Sequence, residues 1–220
     1  MSKNIKFNNQ IKSLQRVSSH GEVYTRQKEV VEMLGLFDHE TTRIDSRFLE
    51  PACGNGNFLF EIMNRKLEII SDLHKKNSRA YERYVFIAAS NLYGIDILLD
   101  NVYEAIDRIF ELIKSNYQRD IKKTNDTFLS CIKYLLSKNI VQGDALTYKS
   151  YKTGKPISLI EWNFINETKL LRREYLFSDL LAYQPIKENN LFSSMGDEAF
   201  IPPIIKEYKV VNFLDIANEK

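Results

Sequence analysis

The run Phe48-Leu-Glu-Pro-Ala-Cys-Gly-Asn-Gly-Asn-Phe58 constrains the fold more than any other stretch of the chain. Two apolar residues lead into Glu50 and Pro51, two glycines follow at the spacing of a tight turn, and Glu61 and Ile62 then open a segment of helical character. Strand, glycine turn and helix in that order is how an open α/β sheet makes room for a nucleoside-containing ligand at the carboxyl end of a strand. Without side chains at Gly54 and Gly56 the backbone can take positive φ and approach a ligand closely. The helix that follows presents unpaired N–H groups to the same space. A phosphate-cradling loop would avoid a carboxylate at its mouth, whereas Glu50 suits a cation.

The flanking sequence repeats the pattern. Leu92-Tyr-Gly-Ile-Asp-Ile97 reads as a buried strand ending at Asp96, and Val102, Ala105, Ile106, Ile109, Phe110 and Ile113 then recur at helical spacing over Asp100 to Ser115. Helix is expected over Phe58 to Leu67, over Ile69 to Asn91 and over Phe128 to Leu136, with a polar connection from Tyr117 to Asn125. Asn139 to Leu146 gives a third short strand and a turn at Gly143-Asp144. Strands separated by crossover helices describe a parallel sheet. Before the first strand, Gln10 to Ser19 and Gln27 to Leu36 read as helices, with Thr25 placed to cap the second through its hydroxyl.

The eleven-residue run resembles the first motif of S-adenosylmethionine-dependent adenine amino-methyltransferases of DNA, Phe-Leu-Glu-Pro-Ala-Cys-Gly-x-Gly-x-Phe. Gly21-Glu-Val-Tyr-Thr-Arg26 is similar to the family's preceding Gly-x-Phe/Tyr-Thr-Pro, Tyr93-Gly-Ile-Asp-Ile97 to its second motif and Gly143-Asp144 to its third. The resemblance spans roughly Gly21 to Asn163. It implies an α/β fold with a Rossmann-like doubly wound methyltransferase sheet and helices on both faces. It also implies S-adenosylmethionine as cofactor, with Tyr24, Thr25, Glu50, Pro51, Ala52, Gly54, Gly56, Phe58, Asp96, Ile97, Asp144 and Ala145 around it. By that likeness Thr25 serves the methionine end, Asp96 the ribose, Ile97 the adenine face and Asp144 the adenine amino group. Arg26 stands where the family has proline, which leaves that turn less rigid.

The likeness fails at the next strand. Where the family carries Asn/Asp-Pro-Pro-Tyr/Phe, this chain has Glu161-Trp-Asn-Phe164. The signature serves a weak nucleophile: a side-chain oxygen and a backbone carbonyl accept the hydrogens of the target amine, and an aromatic ring stacks on the extruded base. Glu161 can supply the acceptor and Phe164 or Trp162 the ring, with Glu161 and Phe164 the catalytic candidates, but both stiffening prolines are missing. Ile201-Pro-Pro-Ile204 holds a diproline without an acceptor and follows no convincing strand.

Composition adds bounds. At 44% hydrophobic and 12% aromatic, the 220 residues can build a real core. No apolar run approaches the length that spans a bilayer, and the polar start lacks a signal-peptide core, so no membrane association is expected. Cys53 and Cys131 show no framework spacing, which fits a cytoplasmic setting, and three scattered histidines give no support to a metal site. A net charge of +2 neither demands nor excludes nucleic acid. Two basic groups stand out: Lys3, Lys6, Lys12, Arg16, Arg26 and Lys28 before the motif, and Lys169, Arg172 and Arg173 near the far end.

The chain is expected to divide into a helical N-terminal segment over 1–40, a cofactor-binding core over 41–166, and a completing segment over 167–220. In the last, Lys169 to Tyr183 reads as an amphipathic helix, Gln184 to Pro203 as a loop and Tyr208 to Leu214 as a final strand. The expected function is methylation of the adenine amino group in DNA, with sequence-specific target recognition either supplied by a partner protein or absent. Two alternatives stand beside it: a non-catalytic cofactor-binding subunit of a restriction–modification or related complex, and a methyltransferase acting on RNA or a small molecule.

Overall fold

Short parallel strands and long helices alternate as far as residue 142, after which the chain turns to antiparallel β-structure. The computed structural model describes residues 12–181 and 202–218. Lys3, Lys6, Gln10 and most of the expected loop over Gln184 to Pro203 lie outside the described residues.

In order, the elements are α1 (Leu14–His20), α2 (Gln27–Gly35), α3 (Asp38–Thr42), β1 (Phe48–Glu50), α4 (Asn57–His74), α5 (Ser78–Ser90) and β2 (Leu92–Asp96). They continue with α6 (Leu99–Ile121), α7 (Asp126–Asn139), β3 (Ile140–Gln142), β4 (Ser158–Phe164), β5 (Lys169–Leu176), α8 (Phe177–Leu181), β6 (Lys206–Glu207), β7 (Val211–Asn212) and a closing 3₁₀ turn over Phe213–Asn218.

The strands β1, β2 and β3 form a parallel sheet in that order, with Glu50 opposite Gly94 and Asp96 opposite Gln142. Because crossovers between parallel strands are almost always right-handed, two that progress in one direction place their helical connections on the same face. Accordingly α4, α5, α6 and α7 pack on one another, and their Leu59, Met63, Val85, Ile106, Ile109, Ile132 and Leu135 fill the main core. Gly94 belongs to that face: a Cβ there would sit 2.9 Å from Leu59 Cδ1, so only glycine lets α4 come this close. On the other face Ile95 packs with Ile157, Leu159 and Phe177, and Tyr93 and Val141 border the cluster.

The architecture is therefore mixed α/β with a second, antiparallel sheet. The expected helical layer on the other face is not found among the described residues, where β-structure and α8 cover it instead. The strand β4 does not extend the parallel sheet. It pairs with β5 over seven residues, from Ser158 opposite Leu176 to Phe164 opposite Leu170. The helix expected over Lys169 to Tyr183 is therefore mostly strand. Its apolar residues suit helical periodicity, but Asn166 builds a turn, its Oδ1 accepting from the N–H groups of Thr168 at 3.0 Å and Lys169 at 2.9 Å. That turn folds the segment back onto β4, and the ladder outweighs local preference.

Two smaller differences have local causes. The long helix expected over Ile69 to Asn91 is divided at 75–77, because Asn77 Oδ1 caps α5 by accepting from the Ala80 N–H. The connection expected over Tyr117 to Asn125 is largely helix: α6 runs to Ile121 and ends where Lys122 turns left-handed at φ 56°. The final strand is shorter than expected, with Val211–Asn212 pairing on β5 before the 3₁₀ turn.

Candidate functional site

A crevice of about 580 Å³ opens at the carboxyl ends of β1, β2 and β3. Its size lies within the range of about 300–1,000 Å³ usual for small-molecule sites. Tyr24, Thr25, Glu50, Pro51, Ala52, Gly54, Phe58, Asp96, Ile97, Asp144 and Ala145 all line it. Gly56 lies just beneath, at φ 81°, where an added Cβ would fall 2.8 Å from that of Ala105. Its glycine lets the turn seat on α6. Gly54, at φ 52°, sits against the ring of Tyr24, whose Cε1 lies 3.2 Å from where a Cβ would be.

Hydrogen bonds tie the wall together. Asp96 Oδ2 accepts from the Gly54 N–H at 2.8 Å, while Oδ1 accepts from the Leu98 N–H at 2.8 Å and from Asn101 Nδ2 at 3.2 Å. A carboxylate offers roughly four lone-pair positions, so Asp96 keeps little capacity beyond its structural partners. Asp144 serves its own turn, with Oδ1 accepting from the Leu146 N–H at 2.9 Å and Oδ2 from the Thr147 hydroxyl at 2.9 Å. Those bonds hold its carboxyl below the usual range. Thr25 does not cap α2. The capping bond comes from Glu29, whose carboxylate accepts from the Arg26 N–H at 3.1 Å. The Thr25 carbonyl instead accepts from Asn57 Nδ2 at 2.9 Å, which ties the N-terminal segment to the start of α4.

Glu22, Asn57 and Asn101 also line the crevice and were not among the expected site residues. Arg16 grips Glu22 with two donors, Nε at 2.5 Å and a terminal nitrogen at 2.7 Å. Asn101 Nδ2 adds a third at 2.6 Å. The Tyr24 hydroxyl lies 3.0 Å from Glu22 and 2.9 Å from Asn101 Oδ1, and its single proton serves one of them. Burial raises the Glu22 carboxyl, but its bonds from Arg16, Asn101 and Tyr24 prevail and hold it low. The sequence carried a signal for this cluster, since Glu22 sits within the motif that contains Tyr24 and Thr25. Nothing local paired Glu22 with Asn101.

The electrostatics are one-sided. Glu22, Glu50, Asp96 and Asp144 line the crevice, and among the described residues no lysine or arginine does. Glu22 is neutralised by Arg16, whereas Glu50 has no cationic partner among the described residues. Burial pushes the Glu50 carboxyl up, opposed only by the Ala52 N–H. An acidic lining of this kind gives the crevice a negative potential, which disfavours a polyphosphate.

Glu161 and Phe164 are not brought to this crevice. Arg47, which precedes the first residue of β1, donates to Glu161 Oε1 at 2.7 Å, so Glu161 stands by the amino end of the sheet. Tyr175 donates to its other oxygen at 3.3 Å. Phe164 packs edge-on to Phe86 with ring centroids 5.6 Å apart, beneath the guanidinium of Arg83 at 4.9 Å. Both side chains do structural work at the opposite end from the glycine turn.

Among the described residues, no group of three or more His, Cys, Asp or Glu is arranged to hold a metal, and no helix is long and apolar enough to cross a membrane. Comparison with family models, with curated proteins and with solved structures gave no match.

Proposed function

We propose that the crevice binds S-adenosylmethionine and that the chain serves methylation of the adenine amino group in DNA as the part that holds the donor. One observation carries this reading: the space at the strand ends is walled by Glu50, Asp96 and Asp144, with no basic side chain in its lining among the described residues. That potential suits a sulfonium nucleoside with an ammonium group. Bound there, the donor supplies a methyl group made electrophilic by the positive sulfur. Glu50 would face the cationic end beside Thr25, Asp96 would take a ribose hydroxyl on its remaining lone pair, and Ile97 and Asp144 would serve the adenine. The three-stranded sheet with its glycine turn is, on this reading, one half of a Rossmann-like methyltransferase sheet.

The position of Glu161 and Phe164 favours a second element of the proposal. On this reading the groups that accept from the target amine and stack on its ring come from a partner protein. Calorimetry with S-adenosylmethionine and with its demethylated product tests the first part, with saturable heat for both expected. No heat from either at millimolar concentration overturns it. Incubation with methyl-labelled donor and mixed DNA tests the second: the chain alone should bind without transfer, and label in DNA would show that it carries its own acceptor groups.

A further inference from the structure

The two basic groups conspicuous in the sequence are largely occupied in the fold. Lys12 pairs with Glu104 at 2.6 Å, Arg16 with Glu22 and Asp100, Arg26 with Glu29, and Arg173 with Glu207 at 2.8 Å, while Arg172 is buried. A third basic stretch is not. Between Asp144 and Glu161 the chain carries Lys149, Lys152 and Lys155 and no acid. All three are exposed, and none has a carboxylate partner among the described residues.

These lysines alternate with aromatic residues in a loop built onto the crevice. The Asp144 N–H donates to the Lys149 carbonyl at 2.9 Å, and the Ile157 N–H donates to that of Tyr148 at 2.8 Å. Within the loop Ser150 and Lys155 are joined at 2.8 Å. Tyr148 adopts φ 59°, a left-handed conformation rare for an aromatic residue, with its ring edge-on to Phe177 at 5.6 Å. Tyr151 is 66% exposed and Leu146, at the crevice rim, 89%. The packed ring of Tyr148 does not account for its left-handed backbone, and packing leaves the ring of Tyr151 largely bare.

We propose that the loop from Leu146 to Lys155 is a binding surface for single-stranded or locally unpaired nucleic acid. Lys149, Lys152 and Lys155 contact its phosphates and Tyr151 stacks on a base. The acidic crevice repels the backbone, so the strand is held at the rim while an uncharged base can turn inward. That this strand delivers the acceptor base rests on the function proposed above; the binding surface itself does not.

Fluorescence anisotropy of the full chain with a labelled single-stranded oligodeoxynucleotide of mixed sequence, measured across a salt series, tests the proposal. Replacing Lys149, Lys152 and Lys155 together with alanine should flatten the slope of log affinity against log salt by about 2, since each lost phosphate contact on a single strand removes about 0.7. Tyr151→Ala should weaken binding roughly tenfold and Tyr151→Phe should not. A control with alanine at the exposed Lys75, Lys76 and Lys123 should keep the original slope. An unchanged slope in the loop variant, or equal flattening in the control, overturns the assignment. Donor calorimetry on the loop variant keeps the two readings apart. Undiminished donor heat with lost oligonucleotide binding supports both, whereas loop-dependent binding in a chain that gives no donor heat sinks only the donor site.

Discussion

The backbone N–H of Gly54 donates to Asp96 Oδ2 at 2.8 Å, so the glycine turn after β1 and the acid that ends β2 form one unit. The same carboxylate accepts from Leu98 and Asn101. Asp96→Ala would strand the buried Asn101 amide and two part-buried backbone N–H groups, a fully buried unpaired donor costing about 1–3 kcal/mol. The expected loss of stability is roughly 2–4 kcal/mol by urea unfolding, together with loss of donor heat. A variant that is destabilised yet binds the donor normally would leave Asp96 a structural residue only.

Gly56 and Gly21 both have positive φ but differ in what surrounds them. A Cβ at Gly56 meets Ala105, while nothing lies within 4 Å of one at Gly21. Gly21→Ala should cost only the left-handed backbone, about 1–2 kcal/mol. Gly56→Ala adds overpacking against α6, for about 2–5 kcal/mol in all. Equal losses from the two substitutions would mean that α6 moves aside freely.

How far the sequence could be read follows from where each signal resides. The segment from Phe48 to Phe58 and the end of β2 were legible because turn geometry, a terminal acid and helical spacing are local. Thr25 and Asp144 do line the crevice, though Thr25 was read as a cap that Glu29 provides. What could not be read was nonlocal. The residues of β5 carry a helical pattern, and only the turn at Asn166 and the waiting edge of β4 make them a strand. Once β4 pairs with β5, its residues no longer continue the parallel sheet. Glu161 then falls beside Arg47, far from the position its place in the sequence suggested.

Glu50 and Glu161 provide a paired test of which end of the sheet is functional. Glu50→Gln removes a charge that should engage the donor cation, an interaction of about 1.5–3 kcal/mol, so affinity should fall roughly 10- to 100-fold by calorimetry. Glu161→Gln should leave donor affinity unchanged. Because burial raises the Glu50 carboxyl, donor affinity in the wild type should also weaken as pH falls through that raised value. The Gln variant should lack that dependence. Equal sensitivity at both positions would contradict the separation of the two ends.

Arg16 fastens α1 and the Tyr24–Thr25 segment over the crevice through Glu22 and Asp100. The Asp100 carboxyl is held down to about 2, chiefly by its bond from Arg16. Arg16→Ala should therefore release this segment while the main core stays folded. Faster amide exchange across 14–25 is expected, with donor affinity lowered about tenfold and little change in the global midpoint, since this segment lies outside the main core and can open on its own. Exchange confined to its wild-type rate would show that packing of Tyr24 alone holds the wall.

Lys66 sits fully buried under the segment that leads into β1, its Nζ donating to the carbonyls of Ser46 at 2.6 Å and Ile44 at 3.1 Å. Burial pushes its ammonium down from 10.5 to about 7. Between those values the unfolded chain holds the proton and the folded chain releases it, so stability rises with pH from about 7 and levels off above 10.5. The slope from this group is at most about 1.4 kcal/mol per pH unit. Cys53 and the buried tyrosines are shifted upward and act in the opposite sense at alkaline pH, so the comparison needs a reference that keeps them. Lys66→Met does so. The difference in unfolding free energy between wild type and this variant, measured from pH 6 to 9.5, should be flat below about 7 and then grow in favour of the wild type. A difference that stays constant across the range would mean that the two carbonyls and the face of Phe48, 5.2 Å away, keep the ammonium charged in the fold.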